Sequence, residues 1–470
     1  MLNPATPEFL TQLQADLPDG VLGEVAPKYL EEPRGTWTGQ AAAVLRPRSS
    51  AEVAQIITAC NAARVGVVPY GGGTGLVGGQ VLPEPAPAPV ILSLEKMTAV
   101  RGLWPDENAL AVEAGAILAD VQAAAQDAGR LFALSLASEG SAQIGGLLAT
   151  NAGGVNVLRY GNARDQVLGI EAVLPDGRIL NGMKRLRKDN TGYDLRHLLL
   201  GSEGTLGVIT AAVLKLHPIP ARRATAFLTV TDPAAAVKLL TLAQDICGET
   251  ISAFELISGM GLQFLRAHMP DQRQPLADSP EWAVLIELGT AAQQDPETML
   301  EEVFTRALEG DLCQDGVIAQ NDTQRMEIWA VRETIPEANR AVGAVASHDV
   351  SLPISDLPAF IDEGNRRITA LAPLRINAFG HLGDGNLHYN IFPPEGRAAS
   401  DYYPMRAQVY QTIHDLVHEM GGSVSAEHGI GRKKVDDLIR YGDATKLAAM
   451  RAIKCSIDPN GIMNPGAIFA

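Results

Sequence analysis

Three glycine-dense segments lie in the first half of the chain: PYGGGTGLVGGQ at residues 69–80, SEGSAQIGGLLATNAGG at 138–154 and GSEGTLGVIT at 201–210. Glycine permits φ > 0 and lets a backbone approach a ligand closely. Successive backbone N–H groups in such a loop form a cradle for an anion. A single phosphate needs one loop, so three predict one long ligand threaded between two small lobes. Gly73, Gly75 and Gly78 also satisfy GxGxxG, the dinucleotide fingerprint. That fingerprint has to open a helix. Here Val81, Leu82 and the stiff connector PEPAPAP at 83–89 follow instead, which argues against a Rossmann domain and an NAD-dependent dehydrogenase.

Hydrophobic periodicity predicts a mixture of helices and strands. Ser49 and Ser50 offer N-caps to a helix carrying Val53, Ile56, Ile57 and Cys60 on one face. Residues 65–70, 225–230 and 282–289 read as strands, and Asp232–Pro233 starts a helix as N-cap and N1. Residues 297–308 read as another helix, and 376–391 as an alternating pattern broken by a turn. The expected class is α+β, with a sheet that is mostly antiparallel in the second region. The expected domains are 1–220, 221–420, and a segment 421–470 that completes the first domain and the active site.

The formal charge of −16 repels phosphate backbones, so no nucleic-acid partner is expected. Cys60, Cys247, Cys313 and Cys455 are far apart and form no CxxC motif, so reduced thiols are expected. No basic start with an apolar run opens the sequence, and no window of about 18 apolar residues occurs. A cytoplasmic protein without a membrane span is the expectation, and a homodimer is allowed.

Residues 377–391 read NAFGHLGDGNLHYNI. Asp384–Gly385 is a favoured two-residue hairpin turn. With that turn His381 faces His388, and Asn390 shares their face. Two imidazoles on one sheet face can bind a divalent metal; two ordinary core histidines fit the same residues. SAEHGIGRKK supplies Glu427 as a third ligand, with His428 beside it. His and carboxylate ligands suit zinc first and manganese second, leaving a position open for substrate. His414 and His418 also stand four apart, but HDLVH lacks the glutamate of HExxH and is read as a solvated helix flank. Arg432, Lys433 and Lys434 either steer anions or form a solvated charge run.

The glycine segments, together with RYGNARDQVLGIEAVLPDG and LRKDNTGYDLRHLLLGSEGTLGVIT, resemble the FAD domain of the vanillyl-alcohol oxidase / p-cresol methylhydroxylase superfamily. The C-terminal motifs GHLGDGNLH and SAEHG resemble its D-2-hydroxyacid dehydrogenase branch, which includes enzymes of D-2-hydroxyglutarate and D-lactate and the glycolate oxidase FAD subunit. The resemblance implies a two-lobed FAD domain and an α+β substrate domain. It places the FAD pyrophosphate on Gly71, Gly72, Gly73, Thr74 and Gly75. Ser138, Gly140, Ser141, Gly145, Asn151, Gly154, Tyr160 and Gly161 would surround the flavin and its ribityl chain. Glu203, Gly207 and Ile209 would lie near the adenine, and Asn464 in the tail also binds cofactor. Residues 69–80 and 138–161 contain no His, so the FAD is expected to be non-covalent.

By the same resemblance His381, His388 and Glu427 hold the metal, and His428 is the base. Arg332, in IWAVRE, is the candidate clamp for a substrate carboxylate, and Asn390 a further substrate contact. The implied reaction oxidises a D-2-hydroxyacid to the 2-oxoacid by hydride transfer to flavin N5. Electrons then pass to an acceptor other than oxygen: an electron-transfer flavoprotein, a quinone or a cytochrome. The 2-hydroxyglutarate enzymes have a Thr four residues after the clamp Arg and a Lys before D-x-S-L-P; this chain has Pro336 and Ser347–His348. That departure weakens the anchoring of a second carboxylate and turns the expectation from D-2-hydroxyglutarate toward a D-lactate-like acid. Two rivals remain: a metal-dependent hydrolase using His381, His388 and Glu427, and a flavin-binding subunit of a glycolate-oxidase-type complex.

Overall fold

The computed structural model describes residues 1–469. The chain divides into two compact units. The first comprises Met1–Gly154, Gly161–Ile219 and the segment from Glu427 onward; the second comprises Val155–Tyr160 and Pro220–Ala426.

The first unit contains a four-stranded sheet in the order Leu22–Gly23, Ala43–Leu45, Val90–Ser93, Val67–Tyr70. Its last three strands pair in parallel. Apart from Ser93 they are built from apolar and aromatic residues, because both faces are covered. Leu45, Val67, Val90 and Leu92 join one core with the helix Ser50–Ala63, while Val44, Val68 and Ile91 join another with Tyr29 and Tyr70. The Ser49 side chain caps that helix at the Glu52 N–H, and Val53, Ile56, Ile57 and Cys60 are its buried stripe. The tail extends the sheet: Val67 N–H donates to Ile462 O, and Asn464 N–H donates to Val67 O. A five-stranded antiparallel sheet runs in the order Val100–Trp104, Ala109–Glu113, Val208–Lys215, Val167–Val173, Ile179–Gly182.

The second unit is built on a seven-stranded sheet whose neighbouring strands are all antiparallel. Its order is Cys313–Ile318, Arg222–Val230, Trp282–Thr290, Ile251–Ser258, Arg375–His381, Asn386–Phe392, Ala346–Ser351. The helix Asp322–Val342 presents Ile328, Val331, Ile335 and Ala338 at spacings of three and four, the stripe that packs on a sheet. They meet Phe227, Ile257, Leu285 and Phe379. Asp232 caps Pro233–Cys247 as expected, accepting from Ala235 N–H.

One histidine departs from expectation. His414, on the helix Arg406–Glu419, is buried rather than on a solvated flank. Its ring lies 5.3 Å from that of His348 and 5.7 Å from that of Tyr410. The apolar stripe Val409, Ile413, Leu416, Val417 turns that side of the helix inward, and position 414 falls on it. His418 is exposed. Among the described residues no disulfide forms; Cys60, Cys247 and Cys313 are buried and Cys455 is exposed. No helix among them is long and apolar enough to cross a membrane.

Candidate functional site

In the first unit the strand Val67–Tyr70 runs directly into the glycine loop, which lines a pocket enclosing about 1050 Å³, part of it continuous with solvent. A side chain on Gly72 would collide with the Ser141 carbonyl, so only glycine lets these two segments close on each other. Gln80 Nε2 donates to Gly75 O at 2.8 Å and braces the loop from within. Gln143 Oε1 is buried at the wall with no hydrogen-bond partner among the described residues. A glycine-lined wall with an unsatisfied acceptor fits a long ligand that carries both an anionic bridge and N–H donors, as FAD does.

Gly71, Gly72, Gly73, Thr74, Gly75, Gly145, Glu203, Gly207, Ile209 and Asn464 all line this pocket. Ser138, Gly140, Ser141, Asn151, Gly154, Tyr160 and Gly161 are not on its wall. Several of these shape the chain around it. Ser138 O closes a turn with Ser141 N–H and Ala142 N–H, and Asn151 Oδ1 accepts from Arg164 N–H at 2.9 Å. Val77, Gln80, Gln143, Thr150 and Ser202 also line the pocket; all five lie inside the glycine-dense segments, but nothing in their residue types marks them as ligand contacts.

His428 lines the same pocket. The loop after it is held by Glu203, whose carboxylate accepts from Ile430 N–H at 2.8 Å and Gly431 N–H at 2.7 Å. Loss of solvent pushes the Glu203 carboxyl above its ordinary range, and the two amides pull it partly back. Asn464 Nδ2 donates to Glu203 O at 2.7 Å, and its Oδ1 accepts from Arg432 Nη2 at 2.8 Å. Arg432 also donates to the Gly78, Gly79 and Pro465 carbonyls. It is thus a clip between the loop, the glycine segment and the tail, not part of a solvated charge run, and Lys434 is buried. Burial lowers the Arg432 guanidinium to about 10. Glu427 accepts from Gly154 N–H at 2.7 Å.

In the second unit the histidine hairpin has a longer turn than expected. A 3-10 turn, Leu382–Asp384, and Gly385 in the left-handed region join the strands. His388 therefore faces Phe379, and His381 pairs instead with Glu255 on the neighbouring strand. The register is displaced by two residues. Side chains alternate with period two, so both histidines still share a face. Their ring centroids are 5.6 Å apart.

Arg332 reaches that face from the helix Asp322–Val342. Its Nε donates to Glu255 Oε2 at 2.8 Å, while His381 Nδ1 lies 2.7 Å from Glu255 Oε1. All three are buried, Glu255 almost completely. Burial alone would push the Glu255 carboxyl up; the charges of His381 and Arg332 outweigh it and hold it below the usual carboxylate range. Glu255 carries no motif in the sequence, and only the strand pairing reveals it. Asn390 is buried opposite Asn377 and Ser347. Ser347 and Asp349 share the face of His388 and Asn390. His348 points the other way, with Nδ1 2.8 Å from Tyr389 O. Pro336 is exposed within its helix.

Comparison with known proteins bears on both units. Residues 41–182 match the FAD binding domain family, and residues 219–468 match the family described as FAD linked oxidases, C-terminal domain. A probable mitochondrial D-2-hydroxyglutarate dehydrogenase of Oryza sativa subsp. indica is 39% identical over 433 residues, covering 92% of this chain and 76% of the relative. The D-2-hydroxyglutarate dehydrogenase of Xanthomonas citri pv. viticola is 36% identical, covering 92% and 90%. A D-2-hydroxyglutarate–pyruvate transhydrogenase of Saccharomyces cerevisiae is 32% identical, covering 95% and 91%. The solved structure of p-cresol methylhydroxylase with substrate bound shares the fold at a TM-score of 0.76 and 16% identity, covering 99% of this chain and 98% of that one. The glycine-lined pocket, the antiparallel sheet and these matches lead to one conclusion: the chain belongs to the FAD-linked oxidase family and is an FAD-dependent oxidoreductase.

Proposed function

We propose that this protein oxidises a D-2-hydroxyacid to the 2-oxoacid, with D-2-hydroxyglutarate the first substrate to test. The observation that carries the reading is the buried face of the second unit, where Arg332, His381, His388 and Asn390 stand together. The names of the relatives, at 32–39% identity over most of their length, support the substrate class.

Bound FAD would supply the acceptor for the C2 hydrogen and its electron pair, and a bound divalent metal would make the substrate hydroxyl more acidic. His381, His388 and Glu427 would hold that metal: two imidazoles and a carboxylate are a donor set for zinc or manganese. Ala426, whose N–H donates to Asp349 O, is bonded directly to Glu427 in the chain. The terminal nitrogens of Arg332 have no hydrogen-bond partner among the described residues and can receive the substrate carboxylate as a fork. An imidazole nitrogen of His428 would take the hydroxyl proton; an imidazole titrates near neutral pH and suits this task. The reduced enzyme would pass its electrons to an acceptor other than oxygen, in keeping with relatives named dehydrogenase and transhydrogenase.

A second reading, a D-lactate-like substrate, is favoured by Ser347. The face beside Asn390 carries a hydroxyl there rather than a cation for a second carboxylate. The test is the visible spectrum of the purified protein under anaerobic addition of D- and L-2-hydroxyacids. Flavin bleaching by a D-acid and not its enantiomer is the expected result, and the faster of D-2-hydroxyglutarate and D-lactate decides between the readings. A flavin that no 2-hydroxyacid bleaches overturns the proposal.

A further inference from the structure

Glu255 lies at the centre of the second unit's buried face, and nothing in the glycine loops or the histidine motifs points to it. It occupies the middle of the strand Ile251–Ser258, opposite His381 on one neighbour and Leu285 on the other. Only 1% of its surface is exposed. A lone carboxylate in such a place is costly, and it is tolerated when both oxygens are paired. Here each oxygen has its own partner: Oε1 meets His381 Nδ1 at 2.7 Å, and Oε2 accepts from Arg332 Nε at 2.8 Å.

We infer that Glu255 is a positioning residue that fixes the tautomer and aim of His381 as a metal ligand. The inference rests on the metal reading above and deepens it. An ionised carboxylate can only accept, so the proton on His381 sits at Nδ1 and the lone pair is left at Nε2. A metal-binding imidazole characteristically gives its other N–H to a carboxylate, which orients the ring and makes the ligating nitrogen more basic. The same Glu255 is held by Arg332, whose remaining nitrogens are the candidate anchor for the substrate carboxylate. One buried glutamate therefore joins the residue that would grip the substrate to a residue that would grip the metal.

The test uses the full-length holoenzyme, stripped of metal by chelator dialysis and titrated with Zn²⁺ against a chromophoric competitor. Glu255→Gln keeps the size of the side chain and removes the charge. Zn²⁺ binding is expected to weaken about tenfold to a hundredfold, with FAD content unchanged. Turnover lost at limiting Zn²⁺ is expected to return with excess Zn²⁺, a rescue that a merely structural role would not give. Unchanged Zn²⁺ affinity, or lost turnover that excess metal does not restore, overturns the inference. If Glu255→Gln does not fold, Glu255→Asp takes its place in the same titration. It keeps the charge, withdraws the oxygen by one methylene, and is judged by the same two outcomes. A wild-type protein that binds no Zn²⁺ or Mn²⁺ overturns the metal reading itself, and that result is separate from an unaltered variant.

Discussion

Glu203 and Glu255 answer the same physical problem in opposite ways. Each is a glutamate drawn away from water beside residues that would do chemistry. Glu203 loses its solvent and is hydrogen-bonded by two backbone amides, with Arg432 and Lys434 acting only through space; these offset the burial in part, and its carboxyl titrates above the ordinary range. Glu255 is met by an arginine and a histidine, and its carboxyl titrates below that range. Amides place a loop; charged partners keep a buried group ionised. The first unit uses its glutamate to hold backbone around a pocket, and the second uses its glutamate to hold side chains.

The contrast has measurable consequences. His428→Ala should lower kcat by about 10²–10⁴-fold with the flavin spectrum intact, the span expected for losing a general base. Glu203→Ala should imitate it in part, because the loop after His428 loses its brace. A Glu203→Ala enzyme with wild-type kcat would erase the assigned difference between the two glutamates. Arg332→Met strips Glu255 of its cation and should cost about 3–5 kcal/mol of unfolding free energy, the range for breaking a buried pair; chemical denaturation of the variant measures it.

A smaller effect tests the electrostatics directly. Glu203, with its folded-state pKa raised, contributes stability that is present below the unfolded pKa and is lost as pH rises through the folded value. Glu255, with its pKa depressed, contributes stability present above the unfolded pKa and lost as pH falls through the folded value. The stability gap between wild type and Glu203→Gln should therefore move against the wild type as pH rises from about 4 to 7. The gap between wild type and Glu255→Gln should move in its favour as pH rises from about 2 to 5. Denaturation midpoints across that range give both slopes, and slopes of the same sign would refute the contrast. The smallest change expected is in specificity. Ser347→Lys places a cation on the Asn390 face and should raise kcat/KM for D-2-hydroxyglutarate relative to D-lactate by about tenfold.

The sequence carried the parts of this design that repeat a local rule. Ser49 and Asp232 cap helices because their oxygens reach the third N–H onward, and that spacing is visible in one dimension. The glycine segments announce a pocket because few other needs gather so many glycines. The histidine face was legible for a subtler reason. The actual turn shifts the register by two residues, yet an even displacement leaves every side chain on its own side of the sheet. What the sequence could not carry is pairing across distance. Glu255 meets His381 and Arg332 from positions 126 and 77 residues away. Arg432, which reads in the sequence as an anion-steering cation or part of a solvated charge run, is tied to four carbonyl or amide oxygens. His414 reads as a flank because HDLVH lacks the glutamate of HExxH, and its burial follows from a stripe shared with Ile413 and Val417.

The backbone bonds between Val67 and the tail set an order of events during synthesis. Val67 belongs to the strand that feeds the glycine loop, and Ile462 and Met463 fill the core beneath it. A ribosome delivers those partners long after Val67 itself has emerged. Until then the cofactor unit lacks an edge of its first sheet and the clip made by Arg432 and Asn464. The second unit, apart from its short piece Val155–Tyr160, is continuous in the chain and has no such wait. Chains cut at about residue 430 should therefore be competent to form the seven-stranded sheet yet unable to retain flavin, so FAD capture becomes a check that the segment carrying Ile462 and Asn464 has been made.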